Sequence, residues 1–172
     1  MRRPARGADF REKPDLLMNE TFLKQAINLA MEHSAAGDGG PFGAVVVCDG
    51  EVVGRGWNAV TATPDPTAHA EIMAIRDAAK RLGTFDLSDC EIYSSCEPCP
   101  MCLCAIYWAR IPRLMYGAGQ ADAAEAGFDD AEFYRQIALP VSERTLATRQ
   151  AMRAEAVAVF DQWLENTKRV TY

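Results

Sequence analysis

The sequence predicts an α/β fold, a three-layer α/β/α sandwich built on a mixed five-stranded sheet. Three observations carry this: 172 residues with 49% hydrophobic and 24% charged side chains, an early hairpin, and strands that afterwards alternate with helices. A chain of that length buries a core without disulfide staples, and nothing in it suggests a second domain, a repeat or a linker.

Taken in order, residues 1–18 form an extension and residues 19–172 one domain. The segment 1–17 carries five basic and three acidic groups and two prolines without helical or strand periodicity, which reads as a flexible tail; Met18 offers an alternative start. With Asn19 or Thr21 as cap, an apolar stripe of Phe22, Ala26, Ile27, Leu29 and Ala30 predicts a helix over about 20–36. Gly37 to Pro41 breaks it. Phe42–Cys48 and Glu51–Trp57 then flank Asp49-Gly50, a two-residue hairpin turn. After a Pro- and Thr-rich loop, Ile72, Ile75, Ala79 and Leu82 place a helix over Ala68–Leu82, closed by Gly83. Cys90–Ser95 reads as a strand, Pro98–Ala109 as a helix opened by proline, and Arg113–Gly117 as a strand. Ala121–Ala126 and Ala131–Ile137 look helical, Thr145–Gln150 is the expected fifth strand, and Ala154–Asn166 is a closing amphipathic helix with Val157, Phe160, Trp163 and Leu164.

No apolar run approaches the roughly 18–20 residues that span a bilayer, and no apolar stretch of signal-peptide length follows the N-terminal charges, so the expectation is a cytoplasmic protein without membrane contact. The formal charge of −6 argues against a nucleic-acid surface, the more so because the tail's net +2 leaves the remainder at −8. Four of six cysteines fall within residues 96–104. A disulfide framework would spread them, whereas such crowding in a reducing compartment points to metal or catalysis.

His69, Cys99 and Cys102 supply three donors for a catalytic zinc site. Cys99 and Cys102, three apart at a helix start, project from one face, and the positive end of that helix favours thiolates. His69 also opens a helix. Three protein ligands leave the fourth tetrahedral position to a water or hydroxide, the pKa of bound water falling to about 7 on zinc. Glu71, two residues beyond His69, sits at the metal's edge, suited to carrying protons between that water, a ring nitrogen and departing ammonia. The pattern His69-Ala70-Glu71 with Pro98-Cys99-Pro100-Met101-Cys102 is the H-x-E and P-C-x-x-C signature of zinc nucleobase deaminases.

Other readings stand beside this one. A structural zinc site would recruit Cys96 or Cys104 as a fourth ligand but leaves Glu71 without a role. Cys96, Cys99 and Cys102 also have a C-x₂-C-x₂-C spacing, but an iron–sulfur cluster lacks its next cysteine at the right distance. Cys48 and Cys90 read as small apolar strand residues, His33 as a surface or core-edge histidine, and Met73, Met101 and Met115 as packing.

On these residues the chain resembles the cytidine deaminase-like superfamily, and within it the small bacterial guanine deaminases. Further segments carry the likeness: Gly39 to Ala44, Asp65 to Glu71, Ser95 to Cys102, Ala105 to Arg110, and Glu125 to Asp130. The resemblance implies hydrolysis of guanine to xanthine and ammonia with one zinc per subunit. It implies Asp130 as a second proton-shuttling carboxylate, although Asp129-Asp130 also reads as a helix cap. It implies substrate contacts from Asn58, Phe42, Ala70 and Trp108, although Asn58 fits a turn and either aromatic fits a core. It implies a homodimer, domain-swapped through the C-terminal segment, with Tyr172 closing the partner's pocket. The metal motif alone leaves guanosine, another aminopurine or pyrimidine, and adenosine in tRNA as substrates.

Overall fold

The computed structural model describes residues 19–171; the N-terminal extension and Tyr172 lie outside the described residues. The described chain divides into two compact units, residues 19–131 and residues 132–171.

The first unit opens with α1 (Glu20–Ala36), where Asn19 Oδ1 accepts from the Thr21 N–H at 3.0 Å and Gly37 ends the helix in the left-handed region. Strands β1 (Gly43–Cys48) and β2 (Glu51–Trp57) pair antiparallel. Their connection places Asp49 at φ 51° and Gly50 at φ 79°, the two positive values a type I′ turn demands. Helix α2 (Ala70–Leu82) follows, then β3 (Cys90–Cys96), α3 (Pro100–Trp108), β4 (Arg113–Ala118) and the short α4 (Gln120–Glu125). The sheet order is β2-β1-β3-β4, with β3 antiparallel to β1 and parallel to β4.

Alternation along β1 divides the core. Val45 and Val47 join Tyr93, Met115 and Ala26 of α1, while Ala44 and Val46 join Ile92 with Ala70, Ala74 and Ala78 of α2 and Ile106 of α3. Glycine fixes how near the helices come. A Cβ on Gly43 would strike the Ala26 carbonyl of α1, and one on Gly56 the Ala70 carbonyl, so α2 begins pressed onto the sheet. The parallel β3–β4 pair, joined through α3, brings the C-terminal ends of both strands together, with Cys96 in register with Ala118. Open α/β sheets bind ligands at such strand ends.

In the second unit α5 (Ala131–Ala138) and α6 (Arg153–Glu165) bury none of their residues. The apolar stripe expected on the last helix is there, but Phe160 and Leu164 are exposed.

The described residues form a mixed sheet of four strands, and residues 145–150 are exposed and carry no strand. One expectation is corrected. The proline that opens α3 is Pro100, not Pro98, which makes Cys99 the residue before the helix and not part of its first turn.

Candidate active site

His69 and Cys99 occupy equivalent places, each at the N-terminal cap of a helix with extended backbone. The His69 side chain makes no capping bond and is free to point elsewhere, while Cys99 meets Cys102 of its own helix. Cys102, two residues inside α3 from Pro100, is fully buried. The three side chains converge: His69 Nδ1 lies 3.5 Å from Cys99 Sγ and 3.5 Å from Cys102 Sγ. Tetrahedral zinc, with bonds of about 2.0–2.1 Å to nitrogen and about 2.3 Å to sulfur, separates nitrogen from sulfur by about 3.5 Å. The donor set therefore fits that ion.

Among the described residues, His69, Cys99 and Cys102 form the one group of potential ligands whose donor atoms all lie within 4.8 Å of one another. Cys96 and Cys104 stay outside it, Cys96 Sγ turning to the Gly119 carbonyl at 3.8 Å and Cys104 being exposed. Neither the four-ligand structural site nor the iron–sulfur spacing finds its geometry here. The three donors also prepare charge. The Cys102 thiol and His69 both donate to Cys99, drawing the Cys99 thiol down to about 4, while its partner thiol on Cys102 is pushed up by the same contact. One sulfur is thus already a thiolate near neutral pH, and it raises His69 in turn.

Glu71 is buried on the first turn of α2, beside these ligands. Burial raises its carboxyl above the ordinary range. Ser94 of β3 donates to Glu71 Oε1 at 3.1 Å, fixing one oxygen. Ala70, between His69 and Glu71, is fully buried, and its N–H at the helix start has no acceptor within the helix.

Asp130 immediately precedes α5. Its neighbour Asp129 accepts from the Ala131 N–H at 3.0 Å and so takes the capping role that either aspartate could have filled. Asp130 instead accepts from Gln120 Nε2 at 2.7 Å. The thiol of Cys96 is raised chiefly by its burial, with the charges of Glu71 and Asp130 adding to the effect.

Asn58 is buried at the end of β2, and its Oδ1 accepts from the N–H groups of Gly40 at 3.1 Å and Val60 at 3.3 Å. Two donors on the oxygen orient the amide, so the end it can offer a ligand is the NH₂ donor and not both functions. A Cβ on Gly39 would collide with Asn58, and Asn58 N–H bonds the Phe42 carbonyl at 3.0 Å. Phe42 meets Phe128 edge to face, centroids 4.9 Å apart, which ties the Gly39–Phe42 loop to the segment carrying Asp130. Trp108 ends α3 and is 69% exposed. Tyr172 lies outside the described residues. His33, as expected of a core-edge residue, stacks on Trp57 at 3.6 Å and bonds Asp38 at 2.7 Å.

Sequence reasoning missed Ser94, Gln120 and the packing role of Phe128. Strand alternation could have found Ser94, two positions before Cys96 on β3; Gln120 had no signal.

Residues 17–118 match the cytidine and deoxycytidylate deaminase zinc-binding region. The chain is 52% identical over 154 residues to guanine deaminase from Bacillus subtilis, covering 90% of this chain and 99% of that protein. The X-ray structure of the Bacillus subtilis enzyme superposes with a TM-score of 0.87 over the same shares. A tRNA-specific adenosine deaminase from Haemophilus influenzae is 40% identical over 118 residues, 65% of this chain and 68% of that protein.

Replacing His69 by Asn, or Cys99 or Cys102 by Ser, is expected to lower bound zinc from near one ion per chain to a small fraction of that, measured by elemental analysis after dialysis. Cys104→Ser is expected to leave it unchanged.

Proposed function

The chain belongs to the cytidine and deoxycytidylate deaminase zinc-binding family, and from that footing we propose that it is a zinc-dependent hydrolase converting guanine and water to xanthine and ammonia. The observation that carries the reading is the near full-length likeness to a guanine deaminase at 52% identity, together with three metal donors and a buried carboxylate at one pair of helix starts. The tRNA-directed relative covers a smaller part of the chain, and the acidic balance of this protein suits a small neutral base better than a polyanion.

His69, Cys99 and Cys102 would hold the zinc, which when bound would supply Lewis acidity and lower the pKa of water. Glu71 takes one proton from the attacking water and gives it to the ring nitrogen beside C2 as the C2–O bond forms; the remaining hydroxyl proton then passes through Glu71 to the amino group, which leaves as ammonia when the C2–N bond breaks. Its burial suits this, since a carboxyl raised above its ordinary range holds a proton more readily than an exposed one. Asp130 serves as the second carboxylate, on the amino-group side of C2. The Asn58 NH₂ donates to an acceptor on the base edge, Phe42 and Trp108 stack on the flat ring, and the Ala70 N–H at the start of α2 contributes a further donor.

The working unit is a homodimer, domain-swapped through residues 132–172, which complete a three-layer α/β/α domain on the partner. Three features support this. Helices α5 and α6 expose Phe133, Ile137, Phe160 and Leu164, far more apolar surface than a finished unit leaves bare. In the first unit β4 is a sheet edge open to a fifth strand, and residues 145–150 are exposed and in no ladder. Beside β4 lies an apolar cavity of about 460 Å³ between α1, Phe42, Cys96, Ala118 and Phe128, a seat for a partner's helix. Tyr172 then closes the partner's pocket. A soluble, cytoplasmic location accords with the absence, among the described residues, of any helix long and apolar enough to cross a membrane.

Ammonia release from guanine, guanosine, cytosine, cytidine, adenine and a tRNA by the zinc-loaded protein tests the substrate. Guanine is expected to give the highest rate, and release from another substrate with none from guanine would overturn the assignment. Glu71→Gln is expected to keep zinc while losing about 10²–10⁴-fold in turnover. Light scattering is expected to give twice the chain mass, with deletion of residues 170–172 leaving the dimer intact and lowering activity.

A further inference from the structure

We propose that Gln120 is a positioning residue that fixes which oxygen of Asp130 carries the proton; this rests on the role given to Asp130 above. Gln120 Nε2 donates to Asp130 Oδ1 at 2.7 Å. An amide N–H keeps its proton throughout the working pH range, so Oδ1 stays occupied and Oδ2 is the oxygen left to receive and return one. A carboxylate in Gln120's place would titrate and repel. The amide also keeps its hold in both protonation states of Asp130, so the shuttle does not swing away between the two halves of a turnover.

Gln120 is itself anchored to the metal loop. It is the first residue of α4, and its backbone N–H donates to Glu97 Oε2 at 3.2 Å. The Glu97 N–H donates to the Ala118 carbonyl at 2.8 Å, and Glu97 stands two residues before the ligand Cys99. The first turn of α4 is closed separately, Gly119 N–H donating to Asp122 Oδ2 at 2.7 Å. Asp130 is relieved of capping by Asp129. The segment from Cys96 to Cys99 thus sets the metal at one end and, through Glu97 and Gln120, the second carboxylate at the other. No feature of the sequence marks Gln120 for this, because only the fold brings positions 97, 120 and 130 together.

The test is a double-mutant cycle on the zinc-loaded full chain with guanine: Gln120→Ala and Gln120→Glu alone, Asp130→Asn alone, and Gln120→Ala with Asp130→Asn. Losing a charge-assisted hydrogen bond at the shuttle is expected to lower kcat by about tenfold or more in either Gln120 variant. KM for guanine, zinc content and Tm are expected to stay at their original values. In the Asp130→Asn background, Gln120→Ala is expected to change kcat less than twofold. Unaltered kcat in both Gln120 variants, or the same loss with and without Asp130, overturns the proposal. An Asp130→Asn variant of full activity overturns the shuttle role itself and this inference with it.

Discussion

The structure depends on a single convergence: two sulfurs, each brought to 3.5 Å from one imidazole nitrogen by the starts of two helices. Each helix begins on a ligand in the capping position. The N–H groups and positive dipole end left there favour thiolate over thiol, and so favour a cation held by thiolates. The fold serves that convergence. Gly56 lets α2 lie hard against β2, the parallel pairing of β3 and β4 sets where α3 starts, and β1, apolar on both faces, holds the frame.

Around this centre the carboxylates divide by environment. Glu71 is enclosed with the ligands, with Ser94 fixing one oxygen and burial favouring its protonated form. Asp130 is half-buried and answers to a side-chain amide. Two carboxylates in unlike surroundings can take different protons in one reaction, as replacing an amino group by oxygen on a ring carbon requires. Asn58, turned by the Gly39-Gly40 loop so that its NH₂ is the free function, adds a donor whose direction is set before any ligand arrives.

Much of this was legible in the chain. Asp49-Gly50 gave away the hairpin because type I′ geometry admits few residue pairs, and Asn19, Gly37 and Gly83 marked helix ends for equally local reasons. The metal ligands and Glu71 could be read because chemistry restricts residue type and spacing together. Long-range partners could not. Ser94 meets Glu71 across 23 positions, and Gln120 meets Asp130 only after α4 turns. Residues 145–150 read as a strand from composition, but whether such a segment becomes one depends on a neighbouring edge. The helix start after Pro98 was misplaced by two residues because Pro98 and Pro100 offer the same local signal.

X-ray absorption at the zinc edge of the purified protein tests the central claim, an open site with three protein donors, most directly. The account predicts two sulfurs at about 2.3 Å with one imidazole nitrogen and one further light atom at about 2.0 Å. A third sulfur, from Cys96 or Cys104, or iron in place of zinc, would contradict it.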